Sequence, residues 1–468
     1  MNTPIFNALT EYMDKKGVSF HMPGHKGKNT LIDWGKYIPY IDVTEIEGMD
    51  NLHNPTGIIE ESQRLSAKAF HSKETFFSVN GTTGGIYIAL AAATDPGDKI
   101  LIQRNCHKSV YNGIILNRLI PEYIYPHYNK KYNLITGINP EDIELILSKD
   151  SDIKAVVVTY PTYYGICSNV EEISRIVHKY NKILIVDEAH GSHFVFSPHL
   201  PISSLEAGAD IVVQSTHKTL PSFTQTSMIH VGTDRVNIDK LKTMSSLYQT
   251  TSPSYIFMAS LDIAREYMET KGEEKLNSLF ENIDYTLNRI RHMNNVFVFE
   301  GDAEDDTIWD FDKTKIILRI NGMKGTELQR VLNKKYNIQL EMADYYYGLI
   351  LTTLMNDRED FEKLISALTN IKKIDKNIPT LSVDFPPVNQ ILSPWEAFYG
   401  NKEECKLKDA VGKISGEFVV PYPPGVPLIC PGEEITPEIY EKIRFLKENS
   451  VEIIGLLDYN IEKIRTIK

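Results

Sequence analysis

The chain has 468 residues, 42% hydrophobic and 24% charged, with a formal net charge of −12 at pH 7. That is enough apolar sequence for a large buried core and two or three domains, and it excludes disorder as the default state. The negative balance, with no dense basic stripe, argues against nucleic-acid binding; an acidic surface keeps a protein soluble and weakly attracts cations.

Residues 1–45 read as an arm, with short apolar patches and a basic turn at His21-Met22-Pro23-Gly24-His25-Lys26-Gly27. Glu11 and Asp14 and the lack of a long apolar stretch exclude a signal peptide, and the longest apolar stretch, 86–93, is too short to cross a bilayer. The expectation is a soluble cytoplasmic protein with no membrane partner. From about 74 onward, strands at 75–79, 99–103, 155–159, 183–186 and 210–214 alternate with helical stretches such as 85–93, 140–148 and 170–180. That alternation predicts βαβ units and a mostly parallel sheet covered on both faces. Helical patterns dominate 236–293. A second α/β segment follows, with a strand at 315–320, a helix at 326–335, strands near 338–342 and 348–353, and a helix at 360–371. A Pro-rich break begins near residue 379, and a turn-rich piece lies at Pro421-Tyr422-Pro423-Pro424-Gly425-Val426-Pro427. The division expected is an arm (1–45), a large domain (46–300), a small α/β domain (301–378) and a C-terminal domain (379–468). Cys106, Cys167, Cys405 and Cys430 form no CxxC pair, so no zinc knuckle or other metal site is expected.

Open α/β sheets place ligands beyond the carboxyl ends of their strands, so the residues after each strand carry the argument. After the first strand, Asn80-Gly81-Thr82-Thr83-Gly84-Gly85 opens a helix. Its free N–H groups and threonine hydroxyls make a phosphate cradle, although not a Walker motif. After 183–186 comes Asp187-Glu188-Ala189-His190-Gly191. An acid closing an apolar strand binds a metal, orients a base, pairs with a buried cation, or simply caps the strand. After 210–214 comes Ser215-Thr216-His217-Lys218. A lysine so near a buried strand end is unusual. The three features explain one another as a pyridoxal 5'-phosphate (PLP) site. Such a site needs a desolvated lysine as nucleophile, a carboxylate to keep the pyridine nitrogen protonated, and a cradle for the phosphate. His107, after the 99–103 strand, is placed to stack on the ring.

The sequence then resembles a known family, the prokaryotic group III ornithine/lysine/arginine decarboxylases, in their short form without an N-terminal wing domain. The matching segments are Phe20-His21-Met22-Pro23-Gly24-His25-Lys26, Asp42-Val43-Thr44-Glu45, Asp50-Asn51-Leu52-His53 with Pro55-Thr56-Gly57, and Asn80-Gly81-Thr82-Thr83-Gly84. Further on come Arg104-Asn105-Cys106-His107-Lys108-Ser109, Pro161-Thr162-Tyr163-Tyr164-Gly165, Asp187-Glu188-Ala189-His190-Gly191 and Ser215-Thr216-His217-Lys218. Ser393-Pro394-Trp395-Glu396-Ala397, the 421–427 turn and Pro431-Gly432-Glu433 match the C-terminal domain of that family.

The resemblance implies the aspartate-aminotransferase-like PLP-dependent transferase fold (fold type I). It implies decarboxylation of a small-molecule basic amino acid (arginine, lysine or ornithine) to agmatine, cadaverine or putrescine. It implies that Thr82 and Thr83 bind the phosphate, with Ser215 and His217 contacting it. His107 stacks on the ring, Ala189 packs near it, Asp187 pairs with its nitrogen, and Lys218 forms the Schiff base. Lys218 and His217 are both candidates to return a proton to the substrate α-carbon. The family works as a homodimer or larger homo-oligomer with active sites at the interface, and Ser252-Pro253-Ser254-Tyr255 resembles the segment reaching across. His190 stands where the large members often carry tryptophan, and it is given no cofactor contact. Glu396 and Glu433 are the candidates for the distal cation of the substrate. An aminotransferase or lyase on the same fold is the competing enzyme reading; Arg319 or Arg330 would then hold a carboxylate. A non-catalytic regulatory protein of this fold is the other alternative.

Overall fold

Val156, Val157 and Val158 are buried in succession, so their strand has apolar matter on both faces. This strand, Ile153–Thr159, lies in the interior of a seven-stranded sheet seen in the computed structural model of the chain. The structure describes residues 3–28, 31–371, 378, 386–422, 425–449 and 451–468. The strand order is Glu74–Ser78, Ser227–Val231, Ile211–Gln214, Ile183–Asp187, Ile153–Thr159, Lys99–Gln103, Ile120–Ile124. Ser227–Val231 runs antiparallel to both its neighbours and every other pairing is parallel. The five expected strands are present. The sheet adds Ser227–Val231, whose buried Ser227 and His230 hide an apolar pattern, and the edge strand Ile120–Ile124, which tolerates Pro121 because its outer side needs no ladder.

The helix Gly81–Ala93 lies directly on this sheet. A Cβ at Gly85 would sit 2.5 Å from Val213 Cγ1, so only glycine lets the helix start so close to the strand that leads to Lys218. The expected helical region 236–293 divides into Ile238–Tyr248 and the 36-residue helix Tyr255–Ile290, with Pro253 in the break.

A smaller antiparallel sheet follows in the order Val296–Phe299, Lys315–Ile320, Gly348–Leu351, Met342–Ala343. The helices Gly325–Tyr336 and Arg358–Asn370 supply Leu328, Leu332, Phe361 and Leu364 to the buried core. The arm is not free. Its strand Val18–Phe20 pairs in parallel with Ile338–Leu340, and buried Phe20 packs edge-on to Phe361. Beyond that strand, Gly24 N–H donates to the His217 carbonyl at 2.7 Å, tying the arm to the segment that carries Lys218.

The C-terminal part has its own core of Ile429, Ile435, Ile439 and Ile443 under the helix Pro437–Glu448. It is fastened to the large sheet through Arg104, which is fully buried. Arg104 donates to the carbonyls of Pro427 and Leu428 at 2.8 and 3.0 Å. The Pro-rich break expected near residue 379 lies outside the described residues, as do Pro423 and Pro424 of the turn-rich piece.

Candidate active site

Asp187 ends its strand opposite Val213, so the acid and the segment Ser215–Lys218 emerge side by side at the carboxyl edge of the sheet. The turn after Asp187 is locked from below. Glu188 folds into the core and accepts the Ser204 N–H and the Gln214 amide, each at 2.7 Å. Ala189 is buried and donates its N–H to Asp187 at 3.2 Å. Asp187 is buried, and no cation among the described residues forms an ion pair with it. Burial pushes its pKa up, against the pull of the nearby Lys218 charge. A buried carboxylate served by one backbone donor is short of a positive partner.

Lys218 leaves the short helix Thr216–Thr219. Burial lowers its pKa; the charges of Asp187 and Glu341 oppose that and Lys315 adds to it. A lysine in such a setting has a larger fraction of reactive neutral amine. Its Nζ lies 3.1 Å from His190 Nε2. His190, to which the sequence assigns no cofactor contact, touches the reactive amine. Its ring is buried, its Nδ1 has no partner among the described residues, and burial plus neighbouring lysines keep it neutral. Tyr163 stands edge-on to that ring, with centroids 4.7 Å apart.

The cradle assembles from three segments. Gly81 takes φ +68°, a conformation that favours glycine, and turns the chain into the helix Gly81–Ala93. The Thr82 hydroxyl lies 2.5 Å from Ser215 Oγ and 3.0 Å from Ser227 Oγ. Ser227 was not among the expected residues. Thr83 is exposed in the first turn, where backbone N–H groups lack intrahelical acceptors. His217 pairs through Nδ1 with the Thr226 carbonyl at 2.8 Å, and burial lowers its pKa to about 4. His107 caps the helix Lys108–Leu116, accepting the Ser109 N–H at 3.2 Å, and keeps an exposed ring. The Gly425 turn lies against it, with the Gly425 carbonyl accepting the Lys108 N–H at 3.2 Å.

Four expectations move. Glu433 is fully buried and paired with Arg104 at 3.2 Å, so it is closed to a substrate. Glu396 closes a capping box with Ser393 at the start of Pro394–Tyr399. Arg319 stacks on Phe297 and Tyr347, with centroid distances of 4.5 and 5.5 Å. Tyr255 is buried within its own chain, hydrogen-bonded to the Asp50 backbone.

The chain matches the model of the Orn/Lys/Arg decarboxylase major domain over residues 3–315 and that of the C-terminal domain over 387–452. The chain belongs to the Orn/Lys/Arg decarboxylase family. It is 36% identical to an arginine decarboxylase of Bacillus anthracis, covering 100% of this chain and 97% of the relative. It is 34% identical to an arginine decarboxylase of Bacillus subtilis, with 100% and 98% covered. In fold it is similar to lysine decarboxylase A from Pseudomonas aeruginosa, with a TM-score of 0.78 at 22% identity, covering 99% of this chain and 80% of that one. An Orn/Lys/Arg decarboxylase of fold type I is a carboxy-lyase for basic amino acids, and its family implies PLP as cofactor. The residues present fit that group. Asp187 lacks the cation that a protonated pyridine would supply, and the hydroxyls of Thr82, Ser215 and Ser227 converge at a helix N-terminus suited to a phosphate.

Proposed function

We propose that this enzyme is an arginine decarboxylase that forms agmatine. The relatives matched over the whole chain at 34–36% identity bear that name, and this supports arginine over lysine and ornithine. The observation that carries the chemistry is the buried, under-partnered Asp187 beside Lys218.

Bound PLP supplies an electron sink for the pair left on the α-carbon when CO2 departs. Asp187 would keep the ring nitrogen protonated. Thr82, Thr83, Ser215 and His217 would hold the phosphate, and His107 and Ala189 would lie against the ring. Lys218 Nζ would anchor the cofactor and, once free, would return a proton to the substrate α-carbon. Lys218 is favoured over His217 for that last step. The Nδ1 of His217 is engaged with the Thr226 carbonyl, and a pKa of about 4 leaves it no spare proton near neutrality.

The enzyme is a cytoplasmic homodimer with active sites at the interface in this proposal. The homodimer is supported by the arm helix Pro4–Asp14, which leaves Ile5, Phe6, Leu9 and Met13 exposed, and among the described residues no helix is long and apolar enough to cross a membrane. Sedimentation of the purified protein tests the dimer. CO2 release from arginine, lysine and ornithine at equal concentration tests the substrate, with arginine expected to give the highest kcat/KM. A higher value for either competitor would displace arginine.

A further inference from the structure

Just past the strand Ile338–Leu340, Glu341 brings a half-buried carboxylate to the Lys218 site. Its Oε1 accepts the Tyr163 hydroxyl at 2.7 Å, and its Oε2 accepts the Met22 N–H at 2.7 Å. Both donors are neutral. Among the described residues, no lysine, arginine or histidine forms an ion pair with it. Lys26 of the arm turns its Nζ to the carbonyls of His21 and Leu351 instead, at 2.7 and 2.9 Å. The Glu341 charge nevertheless reaches the chemistry, because it raises the proton affinity of both Lys218 and His217.

The path from the reacting amine to this carboxylate is continuous. His190 touches Lys218 Nζ, the Tyr163 ring lies edge-on to His190, and the Tyr163 hydroxyl holds Glu341. These side chains form a wall that begins where the substrate amine must enter and ends in negative charge. Other acids of the neighbourhood are committed elsewhere. Asp344 takes the Tyr164 hydroxyl and the N–H groups of Tyr346 and Tyr347. Asp312 pairs with Lys315 at 3.0 Å, Glu188 with Ser204 and Gln214, and Glu433 with Arg104.

A basic amino acid brings two charged nitrogens into the site, and only the first is consumed by the reaction. The second must be desolvated against an anion, or binding is penalised. We infer that Glu341 receives the distal cationic group of the substrate, with Tyr163 as the positioning residue that aims its carboxylate. The inference rests on the basic-amino-acid decarboxylase reading and adds to it the residue that selects the substrate class.

The test measures binding of agmatine and of butylamine, the same chain without the guanidinium, to the cofactor-loaded enzyme by calorimetry. Wild type is expected to bind agmatine at least about tenfold more tightly than butylamine, the scale of one charge-assisted hydrogen bond. Glu341→Gln keeps the shape and removes the charge, and should bring the two affinities to within about twofold. Glu341→Asp keeps the charge and should retain most of the preference, which separates recognition from simple loss of packing. A preference that survives in Glu341→Gln, or that is lost equally in both variants, overturns the inference. If wild-type enzyme releases no CO2 from arginine, lysine or ornithine, the decarboxylase reading beneath it fails instead.

Discussion

The pair Arg104–Glu433 allows a prediction whose size follows from burial. Both side chains are fully buried, with 3.2 Å between Arg104 Nη2 and Glu433 Oε2. Arg104 also donates to the Tyr111 hydroxyl and the Pro427 carbonyl at 2.8 Å, and Glu433 accepts the Cys430 N–H at 2.7 Å. Glu433→Gln keeps the shape but strands a buried guanidinium without its counter-charge. Breaking a buried pair from one side costs about 3–5 kcal/mol. The double variant Arg104→Met/Glu433→Leu strands no charge and should cost clearly less than the sum of the two single changes. The assay is urea unfolding with linear extrapolation, followed by tryptophan fluorescence. The Gly425 turn against His107 hangs on the same anchor, so PLP affinity should fall with stability in Glu433→Gln. A loss under about 1 kcal/mol, or full additivity in the double variant, would refute the reasoning.

Three further changes test the site and its frame. Lys218→Ala should abolish both the visible absorbance of the bound cofactor and turnover, measured by spectrophotometry and CO2 release; full retention of either removes Lys218 from its role. Asp187→Ala should lower kcat by about 100–1000-fold, the scale of one preorganised charge, and weaken cofactor retention on gel filtration; wild-type turnover would contradict the electron-sink argument. Lys26 is buried, and burial lowers its pKa to about 7 from an ordinary 10.5. A depressed pKa means the unfolded chain binds the proton more tightly, so the contribution of Lys26 is fully present above about 10.5 and lost as pH falls through 7. The stability difference between wild type and Lys26→Met should therefore shift in favour of wild type by up to about 1.4 kcal/mol per unit from pH 7 to 9 in urea titrations; a flat difference would contradict it.

Much of the site was legible because its residues follow strand ends. Asp187 and Lys218 leave adjacent strands of one sheet, and His107 and Thr82 follow two more, so order along the chain translated directly into nearness. What was not legible depends on contacts between distant segments. Glu341 lies 123 positions beyond Lys218 (341 − 218) and reaches the site only because the small sheet folds back with the arm across it. Tyr163 sat within a matching motif, but only the wall from His190 to Glu341 gives it a purpose. His190 does carry a signal in the sequence: it is three residues past Asp187, in the same locked turn. Ser227–Val231 is not legible in sequence because both of its faces are buried while its composition is mixed, so neither a strict alternation nor a continuous apolar run marks it. Glu433 misled because an acid in a matching C-terminal motif looks available in sequence, whereas its burial against Arg104 is a property of the packed domains alone.

The most direct test of the account is the fate of carboxyl-labelled arginine with the PLP-loaded enzyme, run in parallel with Lys218→Ala. The expected result is labelled CO2 and agmatine in equal amounts from wild type, and neither from the variant. Formation of the keto acid with the label retained, or CO2 release that persists without Lys218, would contradict it.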